Sequence, residues 1–342
     1  MPTAGNKITQ ADLAQAMGLS RNTISRALND EPGVSKEMKE KILQTAFEKG
    51  YKAGIPKQFI NQNKNIALVS FYNALNDSFW HPFVVGLERV VRREGYSLLM
   101  CHFNEEDSKK RMIPSTVQSE KVAGIVMIGL YSQRYAQCFV DLGLPIVFVD
   151  CNVEINIGNL VADVIKMDNE RSTYELTKYL IREKGCTRLG FYGDVAACAG
   201  YQERYQGFLK ALTEFNLPFN PEESLVFDTK ERYTSESTMR RALQKINYLP
   251  EAFVCCNDGR AISLMAELKK MDYRVPEDIK VVGFDDQREA SMVTPALTTI
   301  KCDREHLGYR TGEELFWRFK NPDRPFEIIT LPTQPVIRES SE

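Results

Sequence analysis

Two sets of polar residues in this 342-residue chain have types and spacings that could do chemistry. The first lies within ITQADLAQAMGLSRNTISRAL, Ile8 to Leu28, where Arg21, Asn22, Thr23, Ser25 and Arg26 crowd one short stretch. Short hydrogen-bonding side chains and guanidinium forks on one helix face suit base edges and phosphates. The second set is dispersed. Asn76, Asp77 and Ser78, then Asp150, Asp194, Asn257 with Asp258, and Asp285 with Asp286, each follow a short apolar run. Ligands bind at the C-terminal ends of strands in open parallel sheets, where carboxylates and amides accept hydroxyl protons. Arg204 can donate a forked pair of hydrogen bonds, and Phe79, Trp80 and Tyr233 can cover the apolar face of a sugar. Acidic residues at strand ends also cap the helices that follow, and Asp258 and Asp286 fit that role equally well.

No enzymatic constellation accompanies these residues. The sequence contains no G-x-x-x-x-G-K-[ST], G-x-S-x-G or H-E-x-x-H pattern, and no G-x-G-x-x-G after a strand. The three histidines, His81, His102 and His306, have no mutual spacing suited to a metal, so neither metal nor cofactor is expected. The eight cysteines show no C-x-x-C spacing, and several sit in apolar runs, which predicts buried reduced thiols. A 43% hydrophobic, 26% charged composition describes a globular chain with material for full cores. No window approaches the 18 apolar residues of a membrane span. The opening MPTAGNKITQ has no apolar signal core, which predicts a cytoplasmic protein. Residues 1–64 hold 10 Lys and Arg against 6 Asp and Glu, the remainder 34 against 40. A basic head on an acidic body points to a small module facing phosphates.

The elements that must position the first set are legible locally. Thr9 can cap a helix from Gln10 to Met17, Gly18 can end it, and Ser20 can cap a second helix from Arg21 to Leu28. The intervening turn has the length of a helix-turn-helix connection. After the turn around Asn29 and Asp30, a third helix from Ser35 to about Lys49 completes a three-helix unit. Lys52 to Asn65 is polar, either a tether or a segment that orders on DNA, with Pro56 able to start a short helix through Gln62.

From Ile66 the rhythm is that of short apolar strands and amphipathic helices. The runs IALVSF, YSLLMCHF, GIVMIGL and PIVFVDC alternate with helical stretches at 79–94, 108–120 and 131–142. A second series follows, with helices at 169–184, 201–215, 235–246 and 259–271 between RLGFYGD, ESLVFD, AFVCCND and KVVGFDD. Strands and helices in this alternation specify doubly wound parallel α/β units. A strand at 298–300, a helix at 305–319 and a terminal strand pair within EIITLPTQPVIRES close the chain, and these last elements could return to the first unit.

In combination, these motifs resemble the lactose-repressor/galactose-repressor (LacI/GalR) family of bacterial transcription regulators, over essentially the whole chain. The head ITQADLAQAMGLSRNTISRALND with VSKEMKEKILQTAFEKGY is similar to the family's opening pattern. DSFWHPFVVGLERVVRREGY, MDNERSTYELTKYL, QERYQGFLKAL, CCNDGRAISLMAELKKMDYRVPEDIKVVGFDD and TPALTTIKCD are similar to its periplasmic-binding-protein-like core. The resemblance implies a helix-turn-helix domain at 1–51, a linker at 52–64 and a core at 65–342. The core would divide into one subdomain of about 65–163 and 292–324 and another of about 164–291 and 325–342. It implies base reading by Arg21 and Asn22, with Thr23, Ser25 and Arg26 on phosphates and neighbouring bases, and further DNA contacts from Thr9, Ser20 and Asn29 at the helix ends and from Lys57 and Ile60 in the linker. Effector contacts would come from Asp150, Arg204, Asn257 and Asp285, joined by Asp77, Phe79, Trp80 and, through a gapped alignment, Tyr233. In the linker, Ile60 aligns with the family's minor-groove wedge, whereas Lys57 stands where two linker helices would meet through a small residue. MDNERS also departs from the family pattern, with Ser172 in place of a glycine.

These features predict a homodimeric regulator, a repressor, on a pseudo-palindromic operator, controlled by a small molecule in the cleft, a sugar being favoured over a purine or phosphorylated sugar. The competing readings are a sugar-binding protein or a sugar-processing enzyme with no DNA role.

Overall fold

The structure, a computed structural model, describes residues 8–29, 31–48, 51, 64–71, 79–119, 122–129, 132–150, 162–195, 198–227 and 236–342. Lys57, Ile60, Asp77 and Tyr233, and the linker helix expected at 56–62, lie outside these residues.

The head is three helices held by local chemistry. Thr9 caps α1 (Gln10–Met17) in a reciprocal capping box with Asp12, whose carboxylate accepts the Thr9 N–H at 2.7 Å. Gly18 ends α1 at φ 65°, a left-handed conformation that costs glycine little. Ser20 Oγ accepts the Thr23 N–H at 3.0 Å and starts α2 (Arg21–Leu28). Ser35 does the same for α3 (Lys36–Glu48) through the Met38 N–H. Leu13, Ile24, Leu28, Ile42 and Ala46 meet in one buried cluster. Each full-size aliphatic side chain in it contributes roughly 1.5–3 kcal/mol, enough to join helices too short to persist alone.

The first α/β unit runs β1 (Asn65–Phe71), α4 (Trp80–Arg93), β2 (Ser97–Phe103), α5 (Glu105–Lys110), α6 (Ser115–Ser119), β3 (Val122–Ile128), α7 (Gln133–Val140), β4 (Ile146–Val149) and β5 (Asp163–Met167). The second runs α8 (Asn169–Arg182), β6 (Leu189–Asp194), α9 (Ala199–Glu214), β7 (Leu225–Phe227), α10 (Glu236–Lys245), β8 (Ala252–Cys255), α11 (Asp258–Lys270) and β9 (Lys280–Val282). The chain closes with β10 (Thr299–Lys301), α12 (Arg304–Lys320), β11 (Ile328–Leu331) and β12 (Gln334–Val336). Six parallel strands form one sheet in the order β11-β5-β4-β3-β1-β2, and four form another in the order β7-β6-β8-β9. The order reverses between β1 and β3 in one sheet and between β6 and β8 in the other, the crevices where α/β ligands settle.

Three features differ from the sequence expectation. The helical stretch at 108–120 is two short helices, because Arg111 turns left-handed at φ 57° and Pro114 precedes the second. The passage between units falls later than residue 163, since β5 pairs with β4 and β11 pairs with β5. Residues 164–167 and 328–331 therefore belong to the first sheet rather than the second subdomain, whereas β10 continues the second sheet through bridges at Val282–Thr298 and Asp285–Lys301. The last two strands are not a pair: β11 lies parallel to β5, and β12 runs antiparallel to β10. One reason is electrostatic. Asp163, fully buried at the start of β5, binds Arg318 of α12 through two bonds of 2.7 Å, anchoring that strand to the first unit.

Candidate functional site

The polar residues at the strand ends converge around Arg204, a buried arginine in the first turns of α9. Gly207 allows α9 to lie against α8, because a Cβ there would stand 2.1 Å from the Glu170 carbonyl oxygen. At that approach Arg204 Nε donates to Asn169 Oδ1 at 2.9 Å. Its Nη1 donates to the Cys256 carbonyl at 2.5 Å, and its Nη2 pairs with Asp285 Oδ1 at 3.4 Å. The guanidinium carbon sits 3.6 Å from the centroid of the Phe284 ring, which fixes the plane of the fork. Burial pulls the Arg204 pKa down, but Asp285 together with the surrounding Cys302, Tyr201 and Cys198 more than offsets it, so the guanidinium stays charged. Asp285 holds φ 114°, a sparsely populated conformation of the kind found at ligand clamps. Among the described residues, Arg204 donates two hydrogen bonds, from Nε and Nη1, and meets Asp285 as an ion pair.

Asp150 supplies the opposite chemistry from the other unit. It follows β4 with φ 48°, its N–H bonded to the Ile165 carbonyl, and its buried Oδ1 has no hydrogen-bond partner among the described residues. Burial raises its pKa to about 6, Arg204 and Lys166 lower it, and Glu203 raises it further. Cys198 and Cys302 stand near enough to feel the same charges, and burial keeps the Cys198 thiol protonated with a pKa of about 12.

The remaining expected site residues divide. Asn257 is engaged by the protein at both ends of its amide: its Oδ1 caps α11 on the Arg260 N–H at 2.9 Å, and its Nδ2 donates to Tyr201 Oη at 2.8 Å. Asp258 is structural, accepting Thr299 Oγ1 at 2.5 Å and the Gln287 N–H at 2.7 Å. Burial lifts its pKa to about 7 against those two bonds. Asp286 is bound by Arg338 at 2.7 Å. Phe79 is buried edge-on against Trp80 at 4.9 Å, with Arg304 5.8 Å from its ring, and Arg304 in turn donates to the Asp286 carbonyl. The aromatic pair thus stands beside the Asp285–Asp286 turn.

Sequence reasoning missed Lys166, Asn169, Tyr201 and Glu203. Lys166 is the one charge inside the strand after Asp163, and Glu203 precedes Arg204 directly, which were the available signals. Lys166 Nζ bonds Glu203 Oε1, and Glu203 Oε2 accepts Asn169 Nδ2 at 3.0 Å.

At the head, the polar face separates into committed and uncommitted groups. Thr9 and Ser20 serve as caps, and Thr23 Oγ1 is 2.8 Å from Ser20 Oγ. Asn29 ends α2 and reaches Ser25 Oγ at 3.4 Å. Arg21, Asn22 and Arg26 are exposed on α2. Among the described residues no group of three or more His, Cys, Asp and Glu is placed to hold a metal, and no helix is long and apolar enough to cross a membrane.

Both parts of this architecture match known families. Residues 9–53 match the model of bacterial regulatory proteins of the lacI family, and residues 178–341 match the periplasmic binding protein-like domain. The chain is 27% identical over 336 residues to the HTH-type transcriptional repressor PurR of Pasteurella multocida, covering 97% of this chain and 98% of that protein. It is 25% identical over 333 residues to the ribose operon repressor of Haemophilus influenzae, with the same coverage. Among solved structures it is similar to a transcriptional regulator CelR–cellobiose complex, with TM-score 0.72 and 22% identity over 97% of this chain and 99% of that one. The lac repressor dimer bound to operator and the anti-inducer ONPF aligns with TM-score 0.69 and 20% identity over 98% and 99% of the two chains. A lacI-family DNA-binding domain joined to a periplasmic binding protein-like domain, matched end to end by repressors, makes the chain a ligand-responsive DNA-binding transcriptional regulator.

Proposed function

We propose that the protein is a homodimeric repressor whose operator affinity is set by a small neutral polyhydroxylated molecule, a sugar, held between the two α/β units. The observation that carries this reading is the pairing of Arg204, whose charge reaches Asp150 of the other unit, with Asp150 itself, whose buried Oδ1 has no hydrogen-bond partner among the described residues. A sugar hydroxyl both donates and accepts, so vicinal hydroxyls satisfy the two groups together. Asn257 and Asp285 complete the ring of acceptors, and Phe79 and Trp80 supply the apolar side. Among the proteins that it resembles, one is named a ribose operon repressor and one structural neighbour holds cellobiose, beside others named PurR.

Arg21 and Asn22 read base edges in the major groove, with Arg26, Ser25 and Thr23 on phosphates. One head contacts too few base pairs for specificity, so a dimer would place two recognition helices about 34–36 Å apart on a pseudo-palindrome. Effector and operator then alter each other's affinity reciprocally, by about 1–3 kcal/mol.

The test is a melting-temperature screen with ribose, cellobiose, xylulose, adenine and guanine, followed by mobility shift on the DNA upstream of the protein's own gene. A true effector at about 100 times its Kd stabilises by about 2.7 kcal/mol and moves the midpoint upward. If only the nucleobases shift the midpoint, the sugar reading fails. If the protein binds no DNA at low salt, the regulator reading fails.

A further inference from the structure

The cleft groups do not stand alone: a polar chain leads from them into the segments that join the two units. Three segments make that crossing, between β5 and α8, between β10 and α12, and between β11 and β12. The first turn of α8 touches two of them. Asn169 opens that turn and accepts Arg204 Nε, while its amide donates to Glu203. Glu203, on α9 of the second unit, reaches back to Lys166 on β5 of the first sheet. One turn on, Ser172 Oγ is hydrogen-bonded to Thr333 Oγ1, in the segment between β11 and β12. The Lys166 and Glu203 side chains are only about a quarter exposed, 25% and 26%, so solvent screens their attraction less than at an open surface.

We propose that Lys166, Glu203 and Ser172 are positioning residues of the cleft. They clamp the first turn of α8 between the two units, so that the orientation of Arg204 and the angle between the units are set together. A ligand that bonds to Arg204 pulls on Asn169, and Asn169 shares its helical turn with Ser172. Occupancy of the cleft is thereby transmitted to a crossing segment that touches no ligand. This inference rests on the reading of the Arg204–Asp150 cleft as the effector site, but its test requires neither effector nor DNA.

Amide hydrogen exchange on the ligand-free full-length protein reads the clamp directly. Lys166→Met, Glu203→Gln and Ser172→Gly are each expected to speed exchange about threefold or more in peptides covering all three crossings, including 302–304, to which none of the three is hydrogen-bonded among the described residues. The Lys166→Met/Glu203→Gln double variant should show no further increase, and Lys166→Arg should restore the original protection. Peptides from β8 and the buried face of α11 should be unchanged, which separates loosening of the crossings from general unfolding. Acceleration confined to the peptides that contain the substituted residue and its direct partner overturns the proposal, as does exchange unchanged everywhere. Failure of the regulator reading would be seen separately, as absence of DNA binding by the unsubstituted protein.

Discussion

Arg318 and Arg204 are both buried, at 3% and 4% exposure, and both meet an aspartate, yet they do opposite work. Arg318 spends every donor on the protein. Two N–H groups go to Asp163, and the others go to the carbonyls of Asn321, Arg324 and Pro325 at 3.2, 2.6 and 2.9 Å. Among the described residues, Arg204 donates only two hydrogen bonds, to Asn169 and Cys256, and meets Asp285 as an ion pair at 3.4 Å. A buried cation leaves donors unpaired only at a free-energy cost, so the lighter commitment of Arg204 fits the ligand contact proposed for it. The saturated centre at Arg318 fastens β5, one strand in from the edge of the first sheet, to its covering helix. Burial alone would have ranked the two alike; the donor inventory separates them.

That contrast is most sharply broken by substituting each arginine in turn. Arg318→Met strands a fully buried Asp163 carboxylate and should cost about 3–5 kcal/mol of stability, read as a lower midpoint in urea unfolding. Arg204→Lys keeps the charge and loses the fork. It should weaken effector binding by about 1.5–3 kcal/mol, measured by calorimetry, while operator affinity without effector changes less than threefold. If Arg318→Met unfolds normally and Arg204→Lys does not, the two roles are reversed.

A smaller effect comes from Asp150. Its native pKa, raised to about 6 by burial, lies above the ordinary carboxylate value of 3.8. The folded protein therefore binds this proton more readily than the unfolded chain, so the Asp150 contribution to stability improves as pH falls through about 6 and is lost as pH rises through it. An effector hydroxyl that donates to the ionised carboxylate has the opposite preference. The effector-induced rise in melting midpoint should be larger at pH 7.5 than at pH 5, and Asp150→Asn should flatten that difference. An equal rise at both pH values in the unsubstituted protein would remove Asp150 from the contact set.

The smallest pair of tests carries the same distinction to the head. Ser20 is committed to its cap and Arg21 is not. Ser20→Ala should lower stability by about 1 kcal/mol. Arg21→Ala should leave the melting midpoint within about 1 °C and cost about 1–3 kcal/mol of discrimination between operator and unrelated DNA. A loss of stability in Arg21→Ala would mean that the exposed side chain packs rather than reads.

The amino-acid sequence by itself determined the helix-turn-helix. Thr9, Gly18 and Ser20 act on neighbours within five residues, so α1 and α2 begin and end where the local pattern predicts. It also determined the alternation of strands and helices and the polar character of the strand ends, because a buried parallel strand is a short apolar run wherever it falls. Tertiary structure decided what no local window contains. Asp163 and Arg318, 155 residues apart, draw β5 into the first sheet, and β11 follows beside it. Asp150, Arg204, Asn257 and Asp285 are ordinary polar residues until the two units face each other. Of the strand-end acids, Asp258 and Asp286 became structural because hydrogen-bond donors on Gln287, Thr299 and Arg338 happened to reach them. A side chain's type sets what it can bond; which of its bonds remain available for a ligand is a property of the packed neighbours.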